Sequence, residues 1–206
     1  MDRSDPTACA GDRTAEQSNE VQDSPASASQ KAHNVKLGIL SDSHGRSDLV
    51  RRALDVLARM GAQAVVHCGD VGGLDVLDQL AGWKAWFVWG NTDFPRPSWR
   101  RHIDALRLPW PDGPLEIPLA RKRIAVFHGH ELACHQALTA ARHDYLLHGH
   151  THQPDDYRIE KMRVINPGAL HRVPFKTVAL LDLATDELHF LPIEDPVTTV
   201  AADPLE

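Results

Sequence analysis

The chain has 206 residues, 42% of them hydrophobic, with 22 Lys and Arg against 28 Asp and Glu; that is one domain's length of chain with ample apolar content for a core. No run approaches the ~18 apolar residues of a membrane span, and the N-terminus lacks the basic start and apolar stretch of a secretory signal. The net charge of −6 sits at the ends: residues 1–34 hold six acids and three bases, residues 195–206 hold three acids and no base, and the balanced remainder offers no clustered basic surface for nucleic acid.

Residues 1–34 are rich in Ser, Ala, Asp and Gln, with Met1 and Val21 as their only large apolar side chains, so they are expected to form a disordered acidic tail. A domain over 35–194 and a second acidic tail over 195–206 complete the expected organisation. The domain begins with an apolar strand, Val35 to Leu40, that ends at Ser41-Asp42. A helix follows, with Ser47 expected as its N-cap, apolar residues from Val50 to Ala58 at helical spacing, and Gly61 as its stop. Ala64 to Cys68 is the second strand, Leu74 to Leu80 a short helix, and Ala85 to Trp89 the third strand. Alternation of strands and helices over so few residues implies right-handed crossovers and parallel strands, with ligands beyond their carboxyl ends.

The second half predicts a hairpin from Leu115–Leu119 and Ile124–Phe127, a helix from Ala133 to Arg142 and a strand at Tyr145–Leu147. Tyr157–Ile159, Arg163–Ile165, Thr177–Leu183 and Leu188–Ile193 follow as strands on short turns, which suggests antiparallel pairing. Two packed sheets with helices outside suit this pattern better than one open sheet. The five Trp are assigned to core or rim packing, Cys68 to the core, and the short basic runs at Arg100-Arg101 and Arg121-Lys122-Arg123 to solvated surface.

Polar groups of one chemical kind collect at the strand ends. The first strand gives Asp42 and His44, the second Gly69-Asp70, the third Gly90-Asn91-Thr92-Asp93, and the later ones His128-Gly129-His130 and His148-Gly149-His150-Thr151-His152. Seven of the 13 His lie between 128 and 152. Each piece alone has a plainer explanation: Asp-x-His arises by chance, and Gly69-Asp70 and Gly90-Asn91 suit turns. Two imidazoles at i and i+2 after a buried strand have no obvious packing role. Carboxylate, imidazole and amide together form a ligand set for borderline divalent metals, and the absence of Cys from the group disfavours a structural zinc site.

In their order, Asp42-x-His44, Gly69-Asp70, Gly90-Asn91-Thr92-Asp93, His128-Gly129-His130 and Gly149-His150-Thr151-His152 resemble the motif series of the calcineurin-like metallophosphoesterases, specifically the small YfcE-like phosphodiesterases. Asn166-Pro167-Gly168-Ala169 resembles that subfamily's Asn-Pro-Gly-Ser turn. The resemblance implies an α/β fold of two packed mixed β-sheets flanked by helices, a four-layer α/β/β/α sandwich. It implies hydrolysis of a phosphodiester by a hydroxide bridging two divalent ions, with Mn2+ expected first and Ni2+, Fe2+ or Zn2+ as alternatives. One ion would take Asp42, His44, Asp70 and His152, and the other Asp70, Asn91, His128 and His150, with Asp70 bridging. Asn91 and His130 are the implied catalytic groups, and Asn91, Thr92 and His130 the implied substrate contacts. Thr92 stands where larger superfamily members have a His thought to protonate the leaving group, and where the small subfamily usually has Cys. Thr has no useful acid function at neutral pH, so substrates with good leaving groups are expected.

The competing class is a metal-binding interaction scaffold of the same fold with little turnover, as in the small retromer subunit that the fold also resembles. All seven proposed ligands are present, which speaks for metal competence. The expected partner is a small phosphodiester, with no membrane, no nucleic acid, and homo-oligomers a feature of the subfamily. Three widely spaced Cys suit a reducing cytoplasm. Deleting residues 1–34 is expected to leave the melting temperature within about 2 °C of the full chain in a thermal melt, and the phosphodiesterase rate unchanged.

Overall fold

A computed structural model of the chain describes residues 35–195. The expected acidic tail over 1–34, and all but the first residue of that over 195–206, lie outside the described residues. The elements run β1 (Lys36–Leu40), α1 (Ser47–Arg59), β2 (Ala64–His67), α2 (Leu74–Asp78) and β3 (Ala85–Phe87). A 3-10 turn (Pro97–Trp99) leads into α3 (Arg100–Ala105). Then come β4 (Leu115–Leu119), β5 (Lys122–Val126), α4 (Leu132–Ala140), β6 (Tyr145–Leu147), β7 (Pro154–Ile159), β8 (Met162–Pro167), β9 (Lys176–Asp182) and β10 (Leu188–Ile193).

Two five-stranded sheets result, ordered β10-β9-β1-β2-β3 and β4-β5-β6-β8-β7. Because strand side chains alternate between faces, each central strand serves two cores at once. Leu37 and Ile39 of β1, Val66 of β2, Ile124 and Val126 of β5 and Leu147 of β6 meet between the sheets. Leu40 and Val65 face outward onto Leu49, Val50, Ala53 and Leu57 of α1. Leu146, Met162 and Val164 face the opposite way onto Cys134 of α4. Three cores between four layers explain why the central strands read as unbroken apolar runs. The layering is the expected α/β/β/α sandwich. Trp83, Trp89, Trp99 and Trp110 pack on the rim of the outer core and Trp86 on that between the sheets, as assigned from the sequence.

Several local expectations are corrected. Ser47 is the first helical residue of α1 rather than its cap: Arg46 precedes it, no side chain caps the end, and Arg46 instead forms a two-point bond to Asp48 at 3.0 and 2.8 Å. The last strands joined by short turns pair antiparallel as expected, β7 with β8 and β9 with β10, but β8 also runs parallel to β6, and β6 to β5, with β4 and β7 as antiparallel edges. The α4 crossover returns the chain to start β6 beside β5, and β7 swings to the edge so that β8 enters alongside β6. The first sheet is mixed too, because β9 pairs antiparallel with β1. The helix α3 went unread, although Pro97 at the head of its leading turn is a helix-start residue.

The carboxyl ends of β1, β2 and β3 in one sheet and of β5 and β6 in the other meet along one edge. Contact there is closer than side chains permit. A Cβ on Gly149, after β6, would lie 1.9 Å from Ser41 Oγ and 2.5 Å from Asp42 Oδ2. At the opposite end Arg163 bonds Asp156 at two points, 2.8 Å each, and Asp186 at 2.9 Å, and Asp186 also accepts from Tyr145 at 2.8 Å. Gly149→Ala is expected to destabilise the fold by about 1–3 kcal/mol in denaturant titration, because nothing flexible can yield the space. Gly113→Ala, with nothing near its Cβ, is the matched control and should be close to neutral.

Candidate metal centre

The loops at this edge are zipped together by their backbones. Asp42 N–H donates to the Gly69 carbonyl (3.0 Å), His44 N–H to that of Asp70 (2.9 Å) and Gly45 N–H to that of Val71 (2.9 Å). Gly149 N–H donates to the His128 carbonyl at 2.8 Å, and Leu170 N–H to that of Ser41 at 3.3 Å. These bonds hold side chains where isolated backbone would not. Asp42, His44, Asp70, His150 and His152 all have φ between 44° and 70°, the left-handed region. For residues other than Gly that conformation costs about 1 kcal/mol or more each, and such strain collects at functional sites.

Gly90 explains part of the Gly-Asn motif. Its Cβ would fall 2.1 Å from Asp70 Oδ1 and 2.3 Å from Asp70 N. Gly at this position lets the loop after β3 lie against a carboxylate, and it also opens the turn expected from the sequence, in which Asp93 N–H donates to the Gly90 carbonyl at 3.2 Å.

The side chains converge as follows. Asp42 is fully buried and Asp70 is 2% exposed. Asp42 Oδ2 accepts from His150 N–H at 3.0 Å, whereas Asp42 Oδ1 has no hydrogen-bond partner. Yet His152 Nε2 stands 3.1 Å from Oδ1, and His44 Nε2 stands 3.4 Å from His152 Nε2. Asp70 divides its oxygens: Oδ2 lies 3.6 Å from His44 Nε2, while Oδ1 lies 3.5 Å from His128 Nε2 and accepts from Thr92 N–H at 2.9 Å. His128 Nε2 is 3.0 Å from Asn91 Oδ1, and the His150 ring centre lies 5.1 Å from that of His128.

Two sets of donor atoms are each mutually close enough to share one ion: Asp42, His44 and His152, and Asp42, Asp70 and His128. The residue common to both is Asp42, while Asp70 reaches toward both sides through separate oxygens. The first sheet supplies Asp42, His44, Asp70 and Asn91, and the second supplies His128, His150 and His152. All seven residues expected as ligands are therefore brought to one place. The donor chemistry fits a divalent cation, and the buried, unpartnered Asp42 Oδ1 facing an imidazole nitrogen is what a missing positive charge leaves behind.

The electrostatics agree. Burial opposes ionisation of Asp70, but the His128 ring and the Thr92 N–H outweigh it and hold the carboxyl well below the usual carboxylate range. Burial likewise opposes a charged His128, yet Asp70 and the Cys68 carbonyl outweigh it and raise its affinity for a proton. The spot at Nε2 thus attracts positive charge. His44 and His150 are pushed down, chiefly by burial, and stay neutral with a free lone pair.

A second ring of groups orients the first. His128 Nδ1–H donates to the Cys68 carbonyl at 2.8 Å, which fixes the tautomer and turns Nε2 inward. Glu131 accepts from the backbone N–H of His128 (2.9 Å) and Gly129 (2.7 Å). Asp93 accepts from Val71, Gly72 and Gly90 at 3.0, 2.8 and 2.9 Å and ties the loops after β2 and β3 together. Asn166 donates to the Gly149 carbonyl (2.9 Å) and Thr151 Oγ1 (3.0 Å), holding the segment that carries His150 and His152. Sequence reasoning missed these orienting roles of Asp93 and Glu131; Glu131, three residues after His128, was the available signal.

Thr92 is exposed, with its hydroxyl 3.4 Å from His44 Nδ1, and His130 is exposed with its ring centre 5.4 Å from His128. Two further His lie near the set. His67 is fully buried with Nε2 2.8 Å from Ser43 Oγ, and burial pushes its pKa down to about 3. The His171 ring centre lies 6.0 Å from that of His44.

Residues 35–186 match the calcineurin-like phosphoesterase superfamily domain. The chain is 25% identical over 168 residues to phosphodiesterase MJ0936 of Methanocaldococcus jannaschii, covering 78% of this chain and 100% of that protein. It is 27% identical over 151 residues to phosphodiesterase YfcE of Escherichia coli, covering 66% of this chain and 79% of that one. In fold it is similar to a solved archaeal phosphodiesterase, with a TM-score of 0.69 at 22% identity over 77% of this chain and all of the other. The domain match over most of the chain, on a four-layer sandwich whose strand ends gather this ligand set, places the protein in the calcineurin-like phosphoesterase superfamily.

Proposed function

We propose that the protein is a phosphodiesterase that holds two divalent ions and cleaves small phosphodiesters. The observation that carries this reading is the split of Asp70: one oxygen faces His44 and the other His128, on opposite sides of a single buried carboxylate. One ion would take Asp42, His44, Asp70 and His152, and the other Asp70, Asn91, His128 and His150. When bound, such a pair supplies Lewis acidity at the phosphoryl oxygens and a water acidified for attack on phosphorus. Manganese is the first expectation, since carboxylate, imidazole and amide without thiolate suit it; nickel, iron(II) and zinc share the preference. The relatives named phosphodiesterases support the reaction class, and the even balance of acidic and basic residues across 35–194 favours small substrates over nucleic acid.

The chain's own residues do the positioning. Asn91, held through its carbonyl oxygen toward His128, keeps its amide hydrogens free for a phosphate oxygen. His130, exposed beside the set, can donate to a substrate oxygen, and Glu131 lies 3.6 Å from its Nδ1. Thr92 keeps His44 oriented through its hydroxyl and offers no strong acid to a leaving oxygen. Among the described residues no helix is long and apolar enough to cross a membrane. With odd, widely spaced Cys, of which Cys68 and Cys134 are buried and free, the cytoplasm is the compartment we propose. The fold equally suits a metal-binding interaction scaffold, and turnover distinguishes the two.

Asp70→Asn is expected to lose most bound metal by elemental analysis, and at least 100-fold in turnover of bis(p-nitrophenyl) phosphate, with the melting curve still cooperative. Two ions retained with near-normal turnover would remove Asp70 from the bridging role. Thr92→His is expected to raise kcat/KM on an alkyl diester roughly tenfold and leave an activated aryl diester little changed, at matched metal content. An unchanged aryl-to-alkyl ratio would place the leaving group away from position 92.

A further inference from the structure

Beside His152 the surface opens into a cavity of about 460 Å3 lined by Thr151, His152, Pro154, Val173, Pro174 and Phe175. That size is typical of small-ligand sites. A cavity of similar volume, about 470 Å3, lies on the outer face of α1 among Arg51, Arg52 and Arg59, but shares no residue with the ligand set. Only the first adjoins the chemistry.

Its walls are apolar where the rest of the site is polar. Phe175 is 84% exposed, so its ring contributes little to any core of this fold. The floor is rigid. Gly168, at φ 84°, is packed so closely that a Cβ would lie 2.1 Å from Thr177 Oγ1 and 3.0 Å from Pro154 Cγ. Thr177 Oγ1 donates to the Pro167 carbonyl at 2.8 Å, and Gly168 N–H to Asn166 Oδ1 at 3.0 Å. Asn166 is the same residue that holds Gly149 and Thr151. One turn therefore fixes both the cavity and the segment bearing His150 and His152. Pocket and ligand set are parts of one preformed surface.

We propose that this cavity seats a ring-bearing, uncharged substituent of the phosphoester, stacked on Phe175 and packed against Val173 and Pro154, while the phosphoryl group sits at the ligand set. The substrate class is then an ester of phosphate with an aromatic or similarly flat apolar group. This rests on the phosphodiesterase reading above.

The test is calorimetric titration of the full-length, manganese-loaded protein with methyl phenylphosphonate and methyl methylphosphonate, which share a monoanionic head that cannot be hydrolysed as an ester of the ring. The phenyl ligand should bind about tenfold more tightly, the scale for one partly buried ring. In Phe175→Ala, and in Val173→Trp, which fills the cavity with a larger side chain, that advantage should fall below about threefold at unchanged metal content. Equal binding of the two ligands by the native protein, or an advantage that survives both substitutions, overturns the pocket while leaving the phosphodiesterase reading intact. If neither ligand binds and no diester is turned over by metal-loaded protein, both fall together.

Discussion

Asp42 and Asp70 place two carboxylates at the ends of neighbouring strands, out of contact with water, and among the described residues no Lys or Arg lies within ion-pair distance of either. Burying an uncompensated carboxylate is among the costliest things a fold can do. What surrounds these two is imidazole and amide, whose lone pairs can turn toward a cation, and backbone N–H groups that donate to the carboxylates. The zipped loops, the left-handed backbone at five of the seven ligand positions and the fixed tautomer of His128 keep the carboxylates from relaxing outward to solvent. The strand-end geometry is thus shaped by a charge that the polypeptide does not itself supply.

The glycines of the motifs are consequences of the same crowding. Gly90 and Gly149 carry no positive φ; each is Gly because a carboxylate or a serine hydroxyl occupies the volume of its Cβ. In sequence they look like turn residues, since Gly beside Asn or His is common in turns. Composition cannot separate a glycine that frees the backbone from one that makes room for a neighbour twenty or more residues away.

That difference marks what the sequence discloses. The convergence of these seven residues was legible because each follows an apolar strand and offers a side chain able to bind metal, a local pattern repeated five times. The layering was legible from apolar strands with helices between them. Roles that depend on where separate loops meet were not. Asp93 spans the loops after β2 and β3, and Glu131 reaches back to the His128 backbone, yet both resemble ordinary surface acids in one dimension. The direction of β8 depended on β7 leaving for the sheet edge, which short turns alone do not reveal. Ser47 looked like a helix cap because Ser commonly is one, but the Arg46 and Asp48 side chains bond to each other instead.

The candidate ligand set is drawn from both sheets, four residues from one and three from the other. Any ion they share is therefore a cross-link between the two halves of the sandwich, closing chain loops as long as that from Asp42 to His152. Its effect resembles a removable disulfide: it takes entropy from the unfolded chain and is lost on chelation. Cohesion of the sheets at this edge becomes a function of free metal concentration. The opposite edge, pinned by Arg163, Asp156 and Asp186, does not share that dependence.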